Sequence, residues 1–246
     1  MKAQTQQNLQ KSYRLSASEA HNLCIGYDTA REKSANIVKG EEDMADLSDN
    51  PLVAYGRENE RNAIAEFIKV TKKVPRFILD NQDRDRFMVT DWLNLGDKSE
   101  YHIDLSATPD GVVGLDTLVE VKCPDMGLSC FDKEGLQKCG IPKDGYVPER
   151  YLWQLAMQQL VVNMQKDSKY NITKSYFLAW SPQRTRIWQY NYNLEFQKYL
   201  ISLLEEFSLA LVDGNTLKNP PTKERHPIIA EELKKMILRY DTEGGK

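Results

Sequence analysis

Asp110, Glu120 and Lys122 are the residues whose types and spacing most directly imply chemistry. They lie in the string Pro109-Asp110-Gly111, eight further residues, then Glu120-Val121-Lys122. Glu120 and Lys122 are two apart, so on a β-strand their side chains leave one face while Val119 and Val121 leave the other, apolar face. The turn Gly114-Leu115-Asp116-Thr117 lies between two short strand-like runs and returns Asp110 to the neighbourhood of Glu120. Two carboxylates then converge beside an amine. Hard oxygen donors of this kind suit Mg²⁺ or Mn²⁺, which keep open positions for water and phosphate oxygens. Such an ion lowers the pKa of a bound water and neutralises charge building on a phosphate. Lys122 is placed to orient or deprotonate that water. A lone Glu-x-Lys is most often a solvated ion pair of little worth. This one closes an apolar hairpin whose three charged groups face one way.

The elements that must hold these groups are readable around them. Residues 101–107 (YHIDLSA), 111–113 (GVV) and 118–122 (LVEVK) read as strands. A helix is expected from about Pro51 to Val70, with Asn50 as cap, Pro51 in the first turn, and Ala63, Ile64, Phe67 and Ile68 on an apolar face. Short strand-like runs follow near 76–79 and 86–89. Residues 125–148, rich in Gly and Pro, form a long connection. A helix over 149–165, a hairpin of 174–180 with 185–192, and an amphipathic helix over about 194–212 complete the central part. Ser16 or Ser18 is a cap candidate for a short helix through Ser18–Cys24, and residues 1–12 read as a mobile arm. After Pro220-Pro221 the region 222–246 reads as a helical extension, with one helix running through PIIAEELKKMILRY. The order is that of a single α/β domain, a mixed sheet flanked by helices.

Composition narrows the classes less than the motif does. The 33 basic and 36 acidic residues give a net charge of −3. That balance neither requires nor excludes nucleic acid, because a local basic groove can sit on an acidic protein. The longest apolar runs are only a few residues, too short for a bilayer. The polar start MKAQTQQNLQKSY carries no secretory core, and the expected setting is cytoplasmic. Cys24, Cys123, Cys130 and Cys139 are too scattered for a disulfide framework or an iron–sulfur cluster and read as thiols. His21, His102 and His226 have no metal-ligand spacing. Trp180, Trp188, Tyr190 and Tyr192 alternate along the hairpin, where core packing outweighs base stacking, and Arg184 and Arg186 read as a solvated strand end rather than as phosphate contacts.

At four places the sequence resembles the lambda exonuclease family, also called YqaJ-like viral recombinases, within the PD-(D/E)xK nuclease superfamily. Residues 16–22 (SASEAHN) are similar to the family's early Thr-Ala-Ser-Glu-x-His-Asn string, and 54–63 (AYGRENERNA) to its Gly-x3-Glu helix. Residues 106–124 (SATPDG to LVEVKCP) carry the metal motif, and 151–160 (YLWQLAMQQL) resemble the helix that bears an active-site glutamine. The resemblance spans about residues 8–212 and implies a PD-(D/E)xK core.

Carried over residue by residue, it makes Asp110 and Glu120 metal ligands with the Val121 carbonyl as a further one. Lys122 would position the attacking water, and Glu60 (or Glu58, in another helix register) would be the helix glutamate beside the metal. The family holds the terminal 5′ phosphate with an arginine, hydroxyls and a glutamine. Ser18, Thr108 and Gln154 match the hydroxyl and glutamine positions. Lys11 falls at the arginine position without a gap, and Arg14 does so with a local shift; arginine grips phosphate through two parallel donors and lysine only as a point charge. Ser18 reads equally as a helix cap, and His21 either supports the pocket or lies on a helix surface. Related nucleases place a tyrosine four residues after the helix glutamine, where this chain has Gln158.

The implied activity is Mg²⁺-dependent (Mn²⁺ substituting) 5′-to-3′ degradation of one strand of duplex DNA from an end to mononucleotides. That leaves 3′ overhangs for a single-strand annealing partner, and the implied assembly is a ring-shaped homotrimer. The competing readings are an endonuclease of the same superfamily and a non-catalytic DNA-end binding protein.

Overall fold

The structure is a computed structural model that describes residues 11–25, 50–76, 87–90, 92, 101–124, 147–165, 169–213 and 222–243. Outside them lie most of the expected arm 1–12, most of the strand-like run 76–79, the connection 125–146, and Cys130 and Cys139.

Two mixed sheets carry the chain. The larger has strand order β4-β5-β6-β7-β8, with β4 Gly111–Val113, β5 Thr117–Lys122, β6 Lys174–Ser181, β7 Arg184–Asn191 and β8 Ile237–Glu243. Only β5 and β6 are parallel; the other neighbours are antiparallel. The smaller sheet has order β1-β3-β2, with β1 Lys11–Ser16, β2 Phe87–Val89 and β3 Tyr101–Ala107, and β1 is parallel to β3. Helix α1 is the short Asn22–Ile25, α2 is Pro51–Thr71, α3 is Glu149–Asn163, α4 is Leu194–Asp213 and α5 is Thr222–Leu233.

The two faces of β5 explain the layering. Val119 and Val121 pack with Ala63, Ile64 and Phe67 of α2 and with Tyr176 and Leu178 of β6. Leu118, pointing the other way, joins the larger core of α3 and α4, centred on Trp153, Phe177, Trp188 and Phe207. Helix α3 is buried on every side from Leu152 to Val162, as expected of a helix enclosed by sheet and helix. Helix α2 begins as its sequence requires: Asn50 accepts the Leu52 amide hydrogen at 2.9 Å, and Pro51 occupies the first turn.

The ends of the chain depart from expectation. Ser16 stands at the N-cap position of a 3₁₀ turn, but its side chain makes no capping hydrogen bond, and no α-helix starts at Ser16 or Ser18. Lys11–Ser16 is a strand paired with β3, followed by a single 3₁₀ turn, Ala17–Glu19, and then α1. Parallel pairing with a distant strand overrides the local capping signal, and the arm gives up Lys11 and Ser12 to β1. At the other end α5 stops at Leu233 and Ile237–Glu243 forms an edge strand on β7, so the region is not helical throughout. Arg184 and Asp241 join across this edge in a two-pronged ion pair of 2.6 and 2.7 Å, and Arg186 adds a third contact at 3.3 Å. The two arginines are therefore bound to the sheet. A buried carboxylate anchors α5: Glu232 accepts from Tyr190 Oη at 2.8 Å and from Asn193 Nδ2 at 2.6 Å.

The chain leaving α2 crosses the outer edge of β4, where Arg76 and Val112 exchange backbone hydrogen bonds of 2.8 and 3.3 Å. A Cβ on Gly111 would stand 2.9 Å from Cβ of Pro75. Gly111→Ala is therefore expected to force β4 and the Pro75 segment apart and to destabilise the fold by about 1–3 kcal/mol. Denaturant unfolding of the variant measures this; an unchanged midpoint would show that the two segments are not in tight contact.

Candidate active site

The short length of β4 sets the position of Asp110. The β4–β5 ladder pairs Gly111 with Val119 and goes no further. Asp110 then supplies the next rung with its side chain: Oδ2 accepts the Val121 amide hydrogen at 2.7 Å. In an antiparallel strand the N–H and C=O of one residue face the same neighbour. The Val121 carbonyl is thus turned toward the edge that Asp110 occupies. Asp110, like Glu120, is buried.

Glu120 and Lys122 leave β5 together on the α3 side. Glu120 is only 2% exposed, and its oxygens are held by three donors. Oε1 accepts from Lys122 Nζ and, at 2.6 Å, from Gln154 Nε2; Oε2 accepts from Gln158 Nε2 at 2.7 Å. Burial opposes the charge on Lys122, but the Glu120 and Asp110 carboxylates and the hydrogen bond to Glu120 outweigh it, and its pKa stands above the ordinary lysine value. The ammonium also lies 5.5 Å from the ring centre of Tyr151, whose hydroxyl accepts from Arg150 at 2.7 Å.

Glu60 lies half-buried on α2, whereas Glu58 is exposed. Its charge reaches the end of β5. Burial first, then Glu60 and then Asp110, push the Cys123 thiol up to about 12. Both carboxylates therefore look onto the same short segment. Among the described residues no three side chains of His, Cys, Asp or Glu are gathered tightly enough to hold an ion by themselves. Asp110 is tied to the Val121 amide, and Glu120 leaves the preceding position of the same strand. Mg²⁺ sites are often built from one or two carboxylates, with water filling the remaining positions.

Of the residues matched to a phosphate pocket, Ser18 and Thr108 lie together past one end of the smaller sheet, whereas Lys11 opens β1 at the opposite end. Strands β1 and β3 end side by side, Ser16 opposite Ser106, so Ser18 and Thr108 each follow two residues past the same sheet end. Both are exposed. Arg14 lies opposite Asp104 on β3, and its Nε is buried without a hydrogen-bond partner. Lys11 begins β1, opposite Tyr101. His21 is half-buried, and burial chiefly lowers its pKa, with Arg150 lowering it further. Gln154 is turned to Glu120, so in this arrangement it belongs to the carboxylate cluster. Gln158, which stands where related nucleases have a tyrosine, also donates to Glu120. The signal that would have found Gln158 is spacing: Gln154 and Gln158 are one helical turn apart and so share a face, which Gln159, the other buried glutamine of the helix, does not.

Class and family follow from this framework. The fold, mixed sheets flanked by helices, is that of a solved alkaline exonuclease. The chain superimposes on the crystal structure of an alkaline exonuclease, LHK-Exo, from Laribacter hongkongensis with a TM-score of 0.53 and 16% identity, covering 89% of this chain and 94% of that one. For LHK-Exo in complex with dAMP the TM-score is 0.54 at 17% identity, covering 91% of this chain and 95% of the other. The sequence matches the model of the YqaJ-like viral recombinase domain over residues 7–165, and the protein belongs to that family. Comparison with curated proteins returns no match. No helix among the described residues is long and apolar enough to cross a membrane.

With its pKa near 12, Cys123 holds almost no thiolate at neutral pH, and the thiolate is the reactive form. Iodoacetamide at pH 7.5 is therefore expected to leave Cys123 largely unmodified in the folded protein and to modify it after denaturation, as peptide mass spectrometry would read. Rapid labelling of the native protein would contradict this environment.

Proposed function

We propose that the protein is a divalent-metal-dependent 5′-to-3′ exonuclease on duplex DNA that releases mononucleotides and leaves 3′ single strands for annealing. The observation that supports this reading is that Asp110 is hydrogen-bonded to the Val121 amide while Lys122 and a glutamine pair hold Glu120 on the same strand. Family and fold support a nuclease, and the dAMP bound to LHK-Exo supports a mononucleotide product.

The donor set fits a hard cation: two carboxylates and a backbone carbonyl, with no imidazole or thiolate among them. Asp110, Glu120 and the Val121 carbonyl would hold Mg²⁺, or Mn²⁺ in its place. When bound, the ion supplies an acidified water and neutralises charge on the scissile phosphate. Lys122, freed from its contact with Glu120, orients the attacking water. Glu60 adds a carboxylate beside Asp110. Arg14 and the Ser18 and Thr108 hydroxyls, with Gln154 when it turns away from Glu120, receive the terminal 5′ phosphate; Lys11 is the alternative cation. Grip on that phosphate sets the cleavage register from the end. A homotrimeric ring around the duplex, a single-strand annealing partner and action in the cytoplasm belong to the same proposal.

With Mg²⁺ and a linear duplex phosphorylated and labelled at one 5′ end, the expected product is labelled mononucleotide, while covalently closed circles stay intact. Cleavage of circles would make the protein an endonuclease; binding without any cleavage would make it an accessory factor. Lys122→Ala is expected to slow release about 10²–10⁴-fold, the usual worth of a positioned proton-transfer group, with DNA binding retained. Asp110→Asn abolishes release, as does chelation of the metal. Arg14→Ala and Ser18→Ala are expected to remove the preference for phosphorylated over hydroxyl ends. Equal loss on both kinds of end would argue against the pocket.

A further inference from the structure

We propose that Gln158 is the positioning residue that fixes Glu120 for a divalent ion. This rests on the metal-dependent reading above and extends it to a residue outside the donor set.

Three observations carry the inference. Gln158 is 1% exposed and donates to Glu120 Oε2, and it is the only donor found on that oxygen among the described residues. The other oxygen has two donors, Lys122 and Gln154, and in the proposed reaction both have other work. Lys122 turns to water and Gln154 to the terminal phosphate. Gln158 is the contact that persists, and so the one that keeps the carboxylate plane from swinging. The third observation is a cost. An ionised carboxylate only accepts, so the Gln158 amide must present its NH₂ to Glu120. Its Oε1 is then buried without a hydrogen-bond partner. A buried acceptor left unpaired costs about 1–3 kcal/mol. An apolar helix that carries this amide where Met or Leu would fill the space is carrying it for its N–H.

Gln159, the next residue on α3, supplies the contrast. It is also buried with its Oε1 unpartnered, so the two differ in what the N–H serves: the Gln159 NH₂ is spent on Ser175 Oγ at 2.9 Å and, weakly, on the Tyr190 carbonyl at 3.5 Å. That is a tie between helix and sheet, remote from Glu120.

The test is calorimetric titration of Mn²⁺ alone into the full-length protein and its Gln158→Met, Gln159→Met and Asp110→Asn variants, without DNA. Wild type is expected to bind Mn²⁺ in a manner lost in Asp110→Asn. Gln158→Met is expected to raise the Kd about 10–100-fold, the usual effect of removing a group that orients a metal ligand. Gln159→Met is expected to lower thermal stability and leave the Kd unchanged. Gln158→Leu, also without a donor, replaces Gln158→Met if that variant fails to fold. If wild type binds in the Asp110-dependent manner but the Gln158 variant binds equally well, or loses affinity no more than Gln159→Met, the positioning role is refuted and the nuclease reading stands. If wild type shows no Asp110-dependent binding, both fall.

Discussion

A carboxylate buried among apolar side chains must be given hydrogen-bond donors, and Glu120 is such a group. Its neighbours along β5 are buried valines and its roof is a helix buried on all sides. One cation and two amides make the charge tolerable there. Much of the molecule is arranged around meeting that need. Helix α3 must lie across β5 in a rotation that aims one turn of glutamines downward. Lys122 must share a strand face with Glu120. Strand β6 must press against the other edge of β5 to keep that face in register.

The opposite edge is built differently. There β4 is too short to reach the C-terminal end of β5, and a side chain completes the ladder in place of backbone. Asp110 is thereby oriented by the sheet itself, through an amide that cannot move without disturbing β5. The tight passage of Pro75 past Gly111 holds that short strand in place from outside. The two carboxylates are thus positioned by unlike means, Glu120 by a helix and Asp110 by a strand edge, and both are referred to β5.

What the amino-acid order revealed and concealed follows the range of the forces involved. The Glu-Val-Lys alternation, the turn at Gly114 and the capped helix from Pro51 are local, and each was legible from spacing and residue type. The hairpin of β6 and β7 was legible for the same reason. Strand β1 was not, because Lys11–Ser16 becomes a strand only by pairing with β3, some ninety residues away. The segment from Ile237 was misread as helix because its apolar pattern is ambiguous and its pairing with β7 decides the outcome. Within the site, residue types exposed the metal motif, while the destination of the Gln154 amide depended on how α3 rotates over β5. Gln158 was visible as a departure from a pattern, and its purpose only as a contact.

The parallel bond between β5 and β6 has a consequence for how the protein comes into being. The match to the family ends at residue 165, yet β6 starts at Lys174, and the strand bearing Glu120 has no neighbour on that side until it arrives. A parallel pairing also closes a long loop before it returns any stabilisation. While the ribosome is still making the second half, β5 therefore lacks one of its two flanking strands. The setting of Glu120 is therefore complete only once the chain has been made through Ser181, well beyond the segment that the family match covers.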